Sequence, residues 1–170
     1  MNIATYSCLT TDRRDSKRHK IMAHEVFPDA DWWLWLDWPF RLTVPPERLV
    51  EGFEAAHVVG FRHRFHDCAY EEHAMCSRMG KGEPDLMRRQ MDRYRMERFP
   101  AHFGLIECGV LLRRNCPEVV AFNERWWAEV EAGSSRDQLS VGYAAWRTGV
   151  RFESWAGTVF ENGFTRRDAA

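Results

Sequence analysis

Trp32-Trp33-Leu34-Trp35-Leu36-Asp37 is the stretch that decides the fold of this chain. Five large apolar residues in a row predict a strand that is buried on both faces, as in the parallel sheets of α/β proteins. Trp38-Pro39 follows and ends the strand, because proline cannot donate a ladder hydrogen bond. The stretch therefore predicts a buried sheet with Asp37 at the carboxyl end of one strand.

Predicted strands and helices alternate on both sides of this stretch. Further strands are predicted at residues 3–9, 57–61 and 109–112, and helices at 13–26, 45–56, 70–79, 85–99, 117–132 and 135–147. This alternation predicts an α/β sandwich in which helices flank a mostly parallel sheet. The length of 170 residues indicates one domain, predicted over residues 1–156, with a polar, loosely held tail over 157–170.

The composition excludes some classes of function. Acidic residues (25) and basic residues (24) nearly cancel, which argues against a nucleic-acid partner but leaves a small anionic ligand possible. No apolar run approaches the roughly 18 residues of a membrane span, and no signal peptide is recognisable. The five cysteines are odd in number and widely spaced, so a reduced, cytoplasmic protein is predicted. The sequence does not indicate an oligomeric state.

Asp37 is the first candidate functional residue. The carboxyl ends of strands are where open α/β sheets place their ligands. Transferases that use nucleotide-diphosphate sugars often carry an acidic pair at such a position to hold a metal, but here Trp35 stands two residues before Asp37. A single carboxylate is a weak site for Mg²⁺ or Mn²⁺, which favour several oxygen ligands. The alternative is that Asp37 caps the following turn.

The segment Ser135-Arg136-Asp137-Gln138 is the second candidate. Ser135 and Gln138 have the spacing of a helix capping box. Such a cap places Arg136 and Asp137 on the first turn, beside backbone N–H groups that favour anions. The segment therefore fits either a plain helix start or a binding site.

The polar segment from Arg62 to Cys76 is the third candidate. As part of a sugar site, His63, Glu71 and Glu72 could bind hydroxyls or transfer protons. As a metal site, the same segment offers zinc ligands, although their spacing matches no standard zinc module: His63, His66, Cys68, His73 and Cys76. A further alternative is a polar helix start in which the two glutamates favour the helix dipole.

Arg113 and Arg114 end the strand predicted at residues 109–112. Arginines at a strand end can clamp a phosphate with two hydrogen bonds, or they can form surface ion pairs. The sequence has no P-loop, no Gly-x-Ser-x-Gly elbow and no dinucleotide glycine motif, which argues against those enzyme classes.

Taken in order along the chain, these segments carry a family resemblance. It rests on Lys20-Ile21, His24, Phe27-Pro28, Leu34-Trp35-Leu36-Asp37, Arg62-His63, Asp67, Glu71-Glu72, Gln90, Tyr94, Glu107, Arg113, Trp127, Glu129-Val130 and Ser135-Arg136-Asp137-Gln138-Leu139-Ser140. The set resembles a glycosyltransferase-like family once described as a domain of unknown function, number 616. That family includes plant proteins linked to cell-wall and mucilage polysaccharides.

The resemblance implies a reduced GT-A-like fold and transfer of a hexose or uronic-acid unit from a nucleotide-sugar donor to a glycan acceptor. It implies a donor side with a Mn²⁺ or Mg²⁺ ion at Asp37, and the further donor contacts Lys20, Arg62 and Arg113. The implied catalytic residues are Arg136, Asp137, Gln138, His63, Glu71 and Glu72. Two alternatives stay open: a non-catalytic module that binds nucleotide sugars or glycans, and a small zinc protein.

Overall fold

Seven strands and six helices make up the computed structural model, which describes residues 1–8, 10 and 12–167. The strands are β1 Ile3–Tyr6, β2 Trp32–Leu36, β3 Phe40–Leu42, β4 Val58–Arg62, β5 Ile106–Arg114, β6 Phe152–Ser154 and β7 Thr165–Arg167. The helices are α1 Arg13–Ile21, α2 Ala23–Val26, α3 Ala69–Arg78, α4 Pro84–Met96, α5 Pro117–Ala132 and α6 Gln138–Thr148, with a 3-10 helix at Pro46–Leu49.

The main sheet has the order β1-β2-β5-β4-β6, and β3 pairs with β7 in a separate ribbon. β1 is parallel to β2, β4 is parallel to β6, and β5 is antiparallel to both of its neighbours. The predicted single-domain α/β sandwich is confirmed, because four of the five strands share one direction. The reversal of β5 follows from where it begins: the His63 N–H donates to the Leu105 carbonyl at 2.9 Å, so β5 starts at the edge where β4 ends.

β2 is buried on both faces, as its sequence predicts. Trp33 and Trp35 pack on one face with Phe122 and Trp126 of α5. Trp32, Leu34 and Leu36 pack on the other face in a second apolar cluster with Leu49, Val50 and Trp155. Full burial of a large apolar side chain contributes about 1.5–3 kcal/mol, so this strand anchors both halves of the core.

Several predicted elements have other bounds in the structure, and two predictions differ from it in kind. The helix predicted over 45–56 is reduced to the short 3-10 helix at Pro46–Leu49, followed by turns. Gly52 adopts φ 79°, a left-handed conformation that ends helical winding. The predicted loosely held tail is also different over residues 157–167, because β7 pairs with β3 and Val159 is buried.

The side chain of Asn162 stabilises the turn in this C-terminal segment. Its Oδ1 accepts the N–H groups of Phe164 and Thr165, both at 2.8 Å, and its Nδ2 donates to the Thr158 carbonyl at 2.9 Å. A polar side chain that bonds to nearby backbone fixes a turn without adding apolar signal to the sequence. Residues 168–170 lie outside the described residues, and the domain boundary at residue 156 stays a prediction.

The structure also bears on the predictions about membrane spans and disulfide bonds. Among the described residues, every helix is too short or too polar to cross a bilayer. All five cysteines are free thiols. The cytoplasmic location stays a prediction.

Candidate active site

Lys20 lies at the centre of the candidate site, although its side chain is fully buried. Its ammonium nitrogen is 2.8 Å from Asp137 Oδ2 and 3.4 Å from Asp37 Oδ1. Asp37 follows β2 directly, and Asp137 directly precedes α6. Two carboxylates from distant parts of the sequence therefore meet at one buried cation.

Arg113 supports this arrangement from inside the core. Its fully buried guanidinium donates to the Ile21 carbonyl at 2.8 Å, to Asn123 Oδ1 at 2.6 Å, to the Tyr6 hydroxyl at 2.6 Å and to the Lys20 carbonyl. These bonds fix the end of α1, which carries Lys20. The structure does not bring Arg113 to the surface, where a phosphate clamp would need it, so Arg113 acts as a positioning residue here.

The loop before α6 is held differently from the predicted capping box. The Ser135 N–H donates to the carboxylate of Glu83 at 3.2 Å, and α6 begins at Gln138 without a side-chain cap. The Asp137 carbonyl accepts the indole N–H of the buried Trp126 at 2.9 Å. Glu83, through Ser135, and Trp126, through the Asp137 carbonyl, therefore both hold the segment that carries Asp137.

The charges in this centre are strongly coupled. Burial alone would raise the pKa of Asp137, but Lys17, at 3.1 Å, and Lys20 together hold it well below its usual range. Burial alone would lower the pKa of Lys20, but Asp137 and then Asp37 raise it above its usual range. Asp137 is thus a fixed anion that holds two ammonium groups, and it is not poised to carry a proton near neutral pH.

A polar cleft of about 480 Å³ opens next to this centre, and we call it the basic cleft. Its cationic lining residues are Arg13, Lys17, Lys81 and Arg136. The sequence has three lysines, and all three lie in or directly beneath this cleft. Lysine presents a compact point charge that suits phosphate groups.

Gly82 lets the two walls of the basic cleft approach each other. A Cβ at this position would lie 2.8 Å from Arg136 Cγ, and the residue adopts φ 81°. Both constraints favour glycine, which accepts a left-handed backbone without strain. Arg13 and Lys17 belong to the dense basic stretch of residues 13–20, which the sequence alone assigns to a solvated helix face, and Lys81 was not singled out from the sequence.

His63 forms a second group of charges at the same edge of the sheet. Its Nε2 lies 3.6 Å from Glu72 Oε2 and 3.7 Å from Glu107 Oε1, while its Nδ1 accepts the His66 N–H at 3.1 Å. Arg136 lies 3.6 Å from Glu72 and so links this group to the basic cleft. The His63 group and the lysine centre therefore belong to one continuous site.

A smaller pocket of about 240 Å³ adjoins the His63 group, and we call it the His63 pocket. Phe65, Met75 and Met79 give it apolar walls, and it shares Lys81 with the basic cleft. Glu107 lies close by, and its pKa is raised mainly by burial and further by Glu72, although His63 partly offsets the shift. A carboxylate with a raised pKa is suited to accept a proton near neutral pH.

Three other predicted site residues need separate mention. Arg62 is exposed and lines different cavities, and Glu71 points towards His66 at 3.6 Å instead of joining Glu72. Gln138 opens α6 beside Asp137, and its side-chain nitrogen is buried with no hydrogen-bond partner among the described residues. The structure therefore gathers Lys20, Asp37, His63, Glu72, Arg136 and Asp137, with Gln138 adjacent, and leaves out Arg62, Glu71 and Arg113.

The surroundings of Asp37 do not fit the divalent metal predicted there. Asp37 Oδ1 accepts the Trp35 indole N–H at 2.6 Å and faces the Lys20 ammonium. A hard cation needs several oxygen ligands, yet the nearby oxygens of Asp137 face Lys17 and Lys20. Within the described ranges, metal-type side chains gather as His57 with Cys116 and Glu118, and as Asp67 with Glu71 and His102. Neither group includes Asp37 or reproduces the predicted zinc set from His63 to Cys76.

The ion pairs of Asp137 predict an acid-sensitive contribution to stability. Because the folded-state pKa of Asp137 is lowered, this contribution is present above the unfolded pKa of about 3.9 and is lost as the pH falls through the folded value. Urea unfolding of the native chain and of Asp137→Asn should therefore differ most near neutral pH, and the difference should shrink below about pH 4. A difference that stays constant down to about pH 3 would contradict the ion pairs, and Asp85→Asn, at an exposed pair with Arg88, is the control.

Fold and site together define an α/β domain with a basic cleft on the side of the sheet where β1 and β2 end. The chain belongs to the TOD1/MUCI70 glycosyltransferase-like domain family, which it matches over residues 4–168. It is 29% identical to the probable hexosyltransferase MUCI70 of Arabidopsis thaliana over 140 residues, or 75% of this chain and 24% of that protein. The family resemblance carried by the sequence motifs is confirmed, and this chain spans about a quarter of that relative's length.

Proposed function

We propose that this chain transfers a hexose or uronic-acid unit from a nucleotide-sugar donor to a hydroxyl group of a glycan or another acceptor. The observation that carries the proposal is the meeting of Asp37 and Asp137 at Lys20, directly beneath the basic cleft. The family and the name of the Arabidopsis relative support a sugar-transfer reaction. The donor sugar and the acceptor are part of the proposal.

The basic cleft is assigned to the diphosphate of the donor. In the reaction, the bond between the sugar carbon and the phosphate oxygen breaks, and its electron pair stays on the diphosphate. Lys17, Lys81 and Arg136 line the cleft where that charge would develop. Fixed cations aimed at a developing charge stabilise the transition state, since they need no rearrangement during the reaction.

The His63 pocket is assigned to the acceptor. Its apolar walls suit the face of a sugar ring, and its shared residue Lys81 places it next to the diphosphate site. As the acceptor oxygen forms its bond to the sugar carbon, its proton passes to the carboxylate of Glu107. His63, which lies between Glu72 and Glu107, orients that carboxylate.

A non-catalytic nucleotide-sugar binding module is the second candidate. It is favoured by the ion pairs of Asp137 with Lys17 and Lys20, and by Asp37 Oδ1, which contacts Lys20 and Trp35. Such a module would use the basic cleft for binding and would not need Glu107, which lies beside His63, as a proton acceptor. The two candidates therefore differ in what they expect of Glu107.

A panel of nucleotide sugars tests the proposal, with binding measured by calorimetry and turnover measured as release of the nucleoside diphosphate. We expect Glu107→Gln to lower turnover by at least about 100-fold and to change donor affinity by less than about twofold. Glu47→Gln, at an exposed position on the 3-10 helix, should leave both unchanged. Binding without turnover for every donor and acceptor would favour the binding module, and absence of binding in a folded sample would rule out both.

A further inference from the structure

Lys20 occupies the place between Asp37 and Asp137 where a shared cation would lie. Its ammonium is within ion-pair distance of both carboxylates, and no part of its side chain is exposed to solvent. The guanidinium of Arg113 holds Lys20 in place, because it donates hydrogen bonds to the backbone carbonyls of Lys20 and Ile21 at the end of α1. The positive charge at this point is therefore built into the chain.

We propose, resting on the proposed function, that this chain binds the diphosphate of its donor without a divalent metal, and that Lys20 supplies the charge in place of the metal. Trp35 agrees with this, because it stands where a second acidic ligand would be needed and donates its indole N–H to Asp37 Oδ1 at 2.6 Å. Asp37 Oδ1 is thereby engaged by both the indole N–H of Trp35 and the ammonium of Lys20.

The charged side chains around the basic cleft can balance the charge of a diphosphate. Five cations surround the site: Arg13, Lys17, Lys20, Lys81 and Arg136. Three carboxylates, Asp37, Asp137 and Glu72, face them. This set, which leaves out Glu107 of the neighbouring His63 group, keeps an excess of two positive charges, and a nucleotide sugar carries two negative charges on its diphosphate. A metal ion would add two more positive charges next to a buried ammonium, which electrostatic repulsion opposes.

Calorimetric titration with uridine and guanosine diphosphates, in excess EDTA and in excess Mn²⁺, tests the proposal. We expect the dissociation constant of the bound nucleotide to be the same within about twofold in both conditions. Binding that needs Mn²⁺, or that tightens by more than about tenfold with it, would overturn the proposal and leave the proposed function intact. Absence of binding in both conditions would overturn both.

The lysines offer a second measurement on the unmodified chain, which does not depend on the folding of a variant. Acetylation of amines followed by mass spectrometry reports on Lys17 and Lys81, both of which line the basic cleft, with the amino terminus as an internal reference. We expect a nucleoside diphosphate in EDTA to slow acetylation of both lysines by at least about fivefold and to leave the amino terminus unaffected. Protection that appears only after Mn²⁺ is added would count against the proposal.

Discussion

The double variant Lys17→Ala/Arg136→Ala is expected to bind nucleoside diphosphates at least about 100-fold more weakly than the native chain. Both side chains line the basic cleft, and they stand on separate elements, α1 and the loop before α6. Each hydrogen bond to a charged group contributes about 1.5–3 kcal/mol, and about 1.4 kcal/mol is tenfold in affinity. Calorimetry on the folded variant gives the comparison directly.

The matched control for this variant is Arg48→Ala/Arg88→Ala. Both control residues are exposed arginines paired with a carboxylate three residues away, so the control removes the same net charge from a different surface. Its affinity should stay within about twofold of the native chain, because exposed pairs contribute little and distant charges are screened. Equal losses in both variants would show that overall charge, and not the cleft, governs binding.

Arg113→Met is expected to lower the free energy of unfolding by about 3–5 kcal/mol. Methionine matches the length of the buried chain but removes the donors to Ile21, Lys20 and Asn123. These buried acceptors then lack a charged partner, and such groups are costly when unpaired. Urea unfolding measures the change.

Arg114→Met is the control for that experiment, since Arg114 ends the same strand with its side chain exposed. Its effect should stay within about 0.5 kcal/mol. Unchanged stability of Arg113→Met together with a collapse in nucleotide affinity would restore the interpretation of Arg113 as a phosphate clamp. The structure predicts the opposite result, because every described contact of its terminal nitrogens lies inside the core.

The sequence predicted the fold well where the pattern is local. The strand Trp32–Leu36 is marked by an unbroken apolar run, and the helix Pro117–Ala132 begins at a proline. Both elements appear where they were predicted. The reversed direction of β5 could not be predicted in this way. The direction of a strand depends on the edge of the sheet at which the chain enters it. For β5 this edge is set by the segment with α3 and α4, which lies between β4 and β5, and not by the residues of β5 itself.

In the candidate site, too, some residues could be predicted from the sequence and others could not. Asp37 and Asp137 could be singled out from their positions at a strand end and a helix start. Lys20 sits in a basic run whose usual place is a solvated surface, and its burial follows only from the contact of α1 with the core. Arg113 and Arg114 are adjacent in sequence, yet Arg113 is buried against α1 and α5, while Arg114 is exposed at the end of β5, and the local sequence pattern does not distinguish the two.

The ribbon of β3 and β7 links the last described residues of the chain to the loop that follows Asp37. Val159 and Phe40 both lie against Gly109, whose carbonyl accepts the Asp37 N–H at 2.7 Å. Shortened versions made for crystallisation or expression should therefore keep residues up to Arg167, although the composition of residues 157–167 is polar. A peptide tag fused there is best separated by a spacer, so that it does not disturb the pairing of β7 with β3.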